Sequence, residues 1–458
     1  MFENIIAQAA ADQLKTDILS RRLAPSMLFF GPAASGKGST AIEMARSLSC
    51  ENETALWKCN CPACVRHRLL VHPDLSMIGP RAFAAEIAAS RTAFLRDPAS
   101  TAGHSLFVRS LRKLLARFAP AVWEYESRSG KANPLSVLQS LEEDIDEFEM
   151  RAAAADMPEK RTALEKLAES LAKNAFKLED DFLSETIPIA QIRKAAYWSR
   201  LSPSGKRKTL IIENADRMKD EARNSLLKLL EEPPESINIV LTVTRRESVL
   251  PTILSRLRPY RFLARSAAEE QEIIRRVFRD SRAAPEEAQG GASGLVGAYL
   301  DSFLPQPPEK LLPLAAFFVA AVARAAAISA KSNGFPGSRG DPAISPMLKA
   351  LGSYCAPIAE SADFERAADA KEVIAALLTR SGNFEGRSFP RFLALALDLV
   401  SWSLNQYVTD HSSITCSDIW RKRLGEAQAA YGVWNQRPEL ALESLFHKLR
   451  EDMAASRS

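Results

Sequence analysis

The stretch FFGPAASGKGSTAIEMARSLSC, Phe29 to Cys50, decides how the rest of the chain is read. Gly31 to Lys37 fit the opening of the pattern G-x-x-x-x-G-K-[ST]. The apolar run SMLFF, Ser26 to Phe30, ends at Gly31 and predicts a buried strand, and a helix is expected from about Lys37 to Leu48. Strand, glycine loop and helix are the setting in which backbone amides and a helix N-terminus cradle phosphate, the lysine reaches the β and γ oxygens, and a Ser or Thr hydroxyl helps hold magnesium. Gly38 stands where that hydroxyl belongs. Ser39 comes one residue late, which on a helix turns its side chain by about 100°. Gly31, Gly36 and Lys37 keep the means to hold a phosphate, while the magnesium ligand is missing.

Two further apolar runs, KTLIIENA (Lys208 to Ala215) and INIVLTVT (Ile237 to Thr244), predict buried strands with the helix KDEARNSLLKLLEE between them. This alternation is that of a parallel α/β sheet. Glu232-Pro233-Pro234-Glu235 ends the helix, because proline lacks an amide hydrogen and disfavours helical geometry in the residue before it. A nucleotide hydrolase needs a carboxylate for magnesium at the end of such a strand and a base to activate water. Here LIIENADRM supplies Glu213 and then Asn214, and an asparagine cannot take a proton from water. Loss of both metal ligand and base lowers hydrolysis by several orders of magnitude. The competing reading is that Glu213 and Asp216 cap the next helix.

At 458 residues the chain is expected to hold roughly two to four domains. With 46% hydrophobic and 25% charged residues and a formal charge of +4, it has globular composition and too little excess charge to prove nucleic-acid binding. Met1-Phe-Glu-Asn-Ile lacks a basic segment followed by an apolar one, and no run reaches the ~18 consecutive apolar residues of a membrane span. The expectation is a cytoplasmic protein that does not enter a membrane. Four of its six cysteines crowd into Cys50-x8-Cys59-x-Cys61-x2-Cys64, whereas Cys355 and Cys416 stand alone. Four clustered thiolates suit one closed, tetrahedral, structural zinc.

Helical spacing is also expected from Asn4 to Arg21. From about residue 81 to 186 the sequence predicts a helical insertion: a basic amphipathic stretch, Ser105 to Arg128, an acidic one, Leu135 to Met150, and a third, Lys160 to Phe182. Such a hairpin reads either as solvated helices or as a docking arm for DNA or protein. Strands stop after Phe262. A small helical unit follows, then the Pro-rich joint LPQPPEK, then a helical region interrupted by a Gly/Pro/Ser-rich loop from Ser332 to Pro346.

The segments FENIIAQAAADQLKTDILSRRLAPSMLFFGP, HPDLSMI, IPIAQIRKAAYWSRLSPSGKRKTLIIENADRM, NSLLKLLEEPPESINIVLTVT and LPTILSRLRPYRF, taken in order, resemble the delta-prime subunits of the bacterial DNA polymerase III clamp loader and are similar to the related gamma/tau motor subunits. The resemblance covers residues 1–80 and 187–264 well, the small helical unit weakly and the insertion not at all. It implies an α/β P-loop core of AAA+ type (1–264) with zinc module (50–64) and insertion, an all-α lid (265–306) and an all-α collar (307–458). Ser255 and Arg256 match the family's Ser-Arg-Cys motif, whose arginine reaches into a neighbour's ATP site; Leu257 replaces the cysteine, and Arg258 and Arg261 are rival arginines. Thr244 matches a γ-phosphate sensor at a strand end. GLVGAYL resembles a family motif in which Ala298 replaces a nucleotide-sensing arginine. In the family two residues separate the middle cysteines, whereas Asn60 alone does so here; His67 or His72 is the substitute ligand on offer, although a capping or core role is commoner for such histidines. The implied partners are gamma/tau-like ATPase and delta-like subunits, the sliding clamp, and primer–template DNA held through its phosphates. The expected function is a stator without ATPase activity of its own. The alternatives are an active gamma-like motor and a zinc-stabilised nucleic-acid-binding protein with a vestigial nucleotide fold.

Overall fold

Strands β1 (Ser26–Phe30), β2 (Leu75–Ile78), β3 (Lys208–Ile212), β4 (Ile237–Val243) and β5 (Arg258–Arg261) form one parallel sheet in the order β2-β3-β4-β1-β5. The computed structural model describes residues 1–52, 54–123, 134–152, 158–184, 186–281, 294–304, 308–332, 346–359, 369–384, 388–405, 411–432 and 436–455. These strands are apolar on both faces because helices cover both. Alternate residues go opposite ways: Met27, Phe29, Ile211 and Val240 enter one core, and Leu28, Leu210, Ile212, Ile239 and Leu241 the other. The first core is closed by α1 (Ala9–Leu19) and α2 (Lys37–Ser49), through Leu14, Ile42 and Met44. The short α3 (Pro62–Arg68) follows α2.

The expected start of the first helix at Asn4 is corrected to Ala9. Ala7 adopts a left-handed φ of 50°, and the Gln8 side chain exchanges two hydrogen bonds, of 2.9 and 3.1 Å, with the backbone of Leu263. β5 was missed in the sequence because Arg258-Pro-Tyr-Arg261 is charged and carries a proline. As an edge strand paired only with β1, it tolerates a residue that cannot donate to a ladder.

The insertion contains α4 (Ala84–Arg96), α5 (Thr101–Leu115), α6 (Pro134–Ala152) and α7 (Pro158–Phe182), gathered around a separate core that includes Phe94, Phe107, Phe148 and Leu171. Its basic stretch is neither solvated nor free. Arg109 donates to the carbonyl of Arg68, Arg112 pairs with Glu149 at 2.6 Å, Lys113 pairs with Glu86, and Arg117 reaches Glu213 in the core. The last part of that stretch, 124–128, lies outside the described residues. The second sheet face is covered by α8 (Ile189–Arg200), α9 (Asp220–Glu231) and α10 (Pro251–Leu254), which contribute Trp198, Leu226 and Ile253.

Next come α11 (Ala267–Val277), opened by a reciprocal Ser266–Glu269 capping box, and α12 (Gly294–Asp301). Arg96 of α4 pairs with Asp280 at 2.6 Å, tying this small helical region to the insertion. Everything to this point forms one compact unit, Met1–Leu304; the second is Pro305–Ser458. In the second unit α13 (Pro308–Ser332) supplies the centre of an apolar core shared with α14 (Pro346–Ala359), α15 (Ala370–Ser381), α16 (Ser388–Asn405), α17 (His411–Gly432) and α18 (Pro438–Ala455). Phe318 meets Phe392, Trp420 and Phe446 edge-on there. Lys310–Ser329 is long and apolar enough to cross a membrane by length and composition, but 72% of its most apolar window is buried inside the unit, as suits a core helix. Residues 305–307 of the Pro-rich joint and 333–345 of the expected Gly/Pro/Ser-rich loop lie outside the described residues.

Parallel α/β sheets bind ligands beyond the carboxyl ends of their strands. Gly31, Gly79, Glu213, Thr244 and Phe262 each follow a strand at that edge. Gly79 has a φ of 102°, and a Cβ there would lie 2.0 Å from the Glu213 carbonyl oxygen. Gly79→Ala is therefore expected to destabilise the chain by at least about 1–3 kcal/mol, read as a lower urea midpoint at unchanged slope.

Candidate functional site

The loop between β1 and α2 is closed by glycines for two reasons. Gly36 has a φ of 93°, and a Cβ on Gly31 would lie 2.1 Å from the Phe262 carbonyl oxygen. Lys37 folds back onto its own loop, where its Nζ donates to the Gly31 carbonyl at 2.7 Å and to Ser35 Oγ at 3.3 Å. Burial lowers its pKa to about 8 although Glu213 and Asp216 pull the other way. Arg265, which sequence reasoning missed, spans the same loop and the N-terminal segment: Nη1 donates to the Ala34 carbonyl at 3.2 Å and Nε to the Ile6 carbonyl at 2.9 Å.

The position of the absent hydroxyl is filled. A Cβ on Gly38 would lie 2.4 Å from Glu213 Oε1 and 3.6 Å from Arg81 Nη1. Glu213 is itself held by two insertion cations. Arg81 Nη1 donates to Oε1 at 3.2 Å, Arg117 Nη2 donates to Oε2, and Arg117 Nη1 also reaches the Ile78 carbonyl at 3.2 Å. Arg81 continues to Glu86, which Lys113 also grips, so five charged groups form one partly buried chain. Burial alone would raise the Glu213 pKa, but Arg81 and Arg117 outweigh it and hold the carboxyl below its ordinary value. Neither arginine was singled out as a site residue. Their signal was weak: one arginine just after Gly79-Pro80, and one cation of a basic stretch 96 positions from its partner.

The capping reading of Glu213 and Asp216 is corrected. Glu213 spends its carboxylate on arginines, and α9 begins after Lys219 with no side-chain cap. Asn214 sits in the left-handed region (φ 49°, ψ 53°), which asparagine tolerates, and its Nδ2 donates to the Pro80 carbonyl at 2.7 Å. Its amide donates at 3.3 Å to the hydroxyl of buried Thr242, a residue the sequence did not single out. Thr244 is exposed just past β4. The structure thus gathers Gly31, Gly36, Lys37, Glu213 and Asn214 at one edge.

Arg256 has its partners elsewhere. Its guanidinium donates to the Thr252 carbonyl at 2.6 Å, to Ser255 Oγ at 3.2 Å and to Glu231 at 2.7 Å, all on α9 or the α10 turn. Its side chain is 33% exposed. Leu257 is buried in the apolar core, so its position accepts a leucine in place of cysteine. Arg258 is committed to Asp17 at 2.9 Å, Arg261 is exposed, and Ala298 is exposed on α12.

The Sγ atoms of Cys50, Cys59, Cys61 and Cys64 lie within 4.8 Å of one another. Cys50 Sγ is 3.7 Å from that of Cys59 and 4.0 Å from that of Cys61. Zinc–sulfur bonds of ~2.3 Å in a tetrahedron require sulfurs roughly 3.8 Å apart, so the donor set fits a metal of that kind. A single residue between Cys59 and Cys61 is enough spacing for both to turn inward. The Cys61 backbone amide brings the Cys59 thiol down to about 6, making thiolate available near neutrality. His67 and His72 are not in the cluster; their rings stack on each other at 4.1 Å.

Fold and site together define a P-loop protein of AAA+ type: a parallel sheet flanked by helices, with further helical regions after it. A family model described as DNA polymerase III, delta subunit, matches residues 6–119 and 148–266, more than half of the sequence. The chain belongs to this family of clamp-loader subunits. The match runs through α4, α5 and α7, which corrects the expectation that the resemblance omits the whole of 81–186; only 120–147 falls between its two parts. No curated protein matches the chain. Among solved structures, a DNA polymerase III gamma subunit-related protein from Thermotoga maritima is 15% identical, covers 96% of this chain and 100% of its own, and has a TM-score of 0.37.

Arg117→Met leaves Glu213 buried with half its charge compensation gone and is expected to cost about 3–5 kcal/mol. Adding Glu213→Gln should recover part of that loss, a coupling that a double-mutant cycle in urea reads directly. Lys37 gives a second expectation. Unfolded, it releases its proton near 10.5, and folded near 8, so the unfolded chain binds more protons between those values and stability rises with pH across that window. The gain, up to about 1.4 kcal/mol per pH unit, should be absent from Lys37→Met when both are unfolded in urea at pH 7.5 and 9.5.

Proposed function

We propose that the chain is a non-hydrolysing, stator-like subunit of the DNA polymerase III clamp loader. The observation that carries this reading is the carboxylate of Glu213 enclosed by Arg81 and Arg117 beside Gly38. A magnesium ion needs oxygen ligands with charge to spare; here the Glu213 carboxylate that ends β3 is neutralised, and two guanidiniums repel a dication. Asn214 offers no base. The glycine loop and Lys37 retain phosphate-binding groups, so nucleotide binding without turnover is compatible with the reading.

Arg256 then acts in trans. Its exposed pairing with Glu231 is worth only about 0–1 kcal/mol, so a neighbour's triphosphate displaces it at little cost. A guanidinium supplied in this way is worth ~10³–10⁵ in rate in phosphoryl transfer. The working domains are the AAA+ core at 1–264, the lid at 265–306 and the collar at 307–458. The four cysteines hold a structural zinc. Gamma/tau-like ATPase and delta-like subunits, the sliding clamp and primer–template DNA are the partners, with DNA held through its phosphates and therefore released by salt.

Magnesium-dependent ATP turnover by the purified chain should equal that of Lys37→Ala, whereas turnover abolished by Lys37→Ala would make the chain a motor. In a ring reconstituted with motor subunits, Arg256→Ala should lower clamp-dependent ATPase by at least about 10³-fold at the adjoining site, while Arg261→Ala leaves it unchanged.

A further inference from the structure

α2 joins the phosphate-binding loop to the cysteine cluster. It begins at Lys37, and Cys50 caps its other end. One turn before that end, Arg46 is 1% exposed and wholly enclosed. Its Nε and Nη2 donate to Glu43 at 2.9 and 2.6 Å, Nη2 also reaches the Ala55 carbonyl at 2.6 Å, and Nη1 reaches the Leu56 carbonyl at 3.1 Å. The remaining contact of Nη1 is Cys64 Sγ, at 2.9 Å. Glu43 and the two carbonyls fix the plane of the guanidinium, so the N–H aimed at sulfur is an oriented donor.

We propose that Arg46 is a positioning residue of the metal site, setting its affinity through Cys64 and tying metal occupancy to the P-loop helix. The inference rests on the reading of the four cysteines as a zinc site. Four thiolates around a divalent ion leave a net double negative charge, and Cys64 is fully buried, so its sulfur gains little from water. A charge-assisted N–H···S bond supplies what solvent cannot and fixes the sulfur's direction. Glu43 completes the link on the other side, accepting from the Phe2 amide at 3.3 Å.

The test uses the full chain, with zinc content measured by mass spectrometry and affinity by competition with a chelating dye. Wild type should carry one zinc. Arg46→Met should bind it about 10–100-fold more weakly, with Arg46→Lys intermediate because it keeps the charge and loses the fork. Zinc-loaded and metal-free melting temperatures separate this from a structural role. A positioning residue narrows the gap between them, since zinc stabilises the fold by an amount that follows its affinity, whereas a purely structural residue lowers both and keeps the gap. Where Arg46→Met fails to fold, the affinity of Arg46→Lys decides. Wild-type affinity in a folded variant overturns the role of Arg46, and a wild-type chain with no zinc overturns the metal site and the inference together.

Discussion

A buried carboxylate between two guanidiniums is the contact on which the first unit depends. Glu213 sits at the end of β3, Arg81 just beyond β2, and Arg117 after α5 in the insertion. Taking any of these charges out of water is costly, and only mutual pairing with good geometry offsets it. Core and insertion are therefore one electrostatic body: neither can leave the other without stranding a charge. The same contact fixes the chemistry of the strand end. In a nucleotide hydrolase a carboxylate there serves a dissociable dication; here Arg81 and Arg117 of the same chain pair with it.

Several sequence oddities become one arrangement in this light. Gly38 leaves room for the Glu213 carboxylate, whose Oε1 lies where its side chain would begin. Gly79 is required because the Glu213 carbonyl passes beside it. Asn214 is suited to its left-handed backbone and anchors Pro80, the residue before Arg81. Each change from a hydrolytic pattern is thus matched to its neighbour by sterics or charge, as expected where local choices agree with the whole fold.

Much of the sheet was legible because buried parallel strands are continuous apolar runs: SMLFF, KTLII and INIVLTV stand out without help from their neighbours. β5 was not, since its burial comes from Tyr260 alone while arginines and a proline dominate its composition. The cysteine cluster was legible from close spacing. The Arg81–Glu213–Arg117 contact was invisible because a charge pair leaves no periodicity, and its members are brought together only by β-strand order. The basic stretch of α5 misled for a related reason: sequence counts the cations, and only packing reveals that Glu86, Glu149 and Glu213 meet them.

The two arginines that matter most to the functional reading differ in what it takes to move them. Arg117 is 1% exposed and faces a buried carboxylate, a pairing whose rupture costs about 3–5 kcal/mol. Arg256 is 33% exposed, its partner Glu231 is 49% exposed, and solvent screening leaves such a pair worth about 0–1 kcal/mol. A better acceptor such as a phosphate therefore competes for Arg256 with ease and for Arg117 hardly at all. Burial thus separates Arg117, which closes the chain's own strand end, from Arg256, which rests in an exposed and easily broken pair, and the proposed action on a neighbour's site calls for a cation of the second kind.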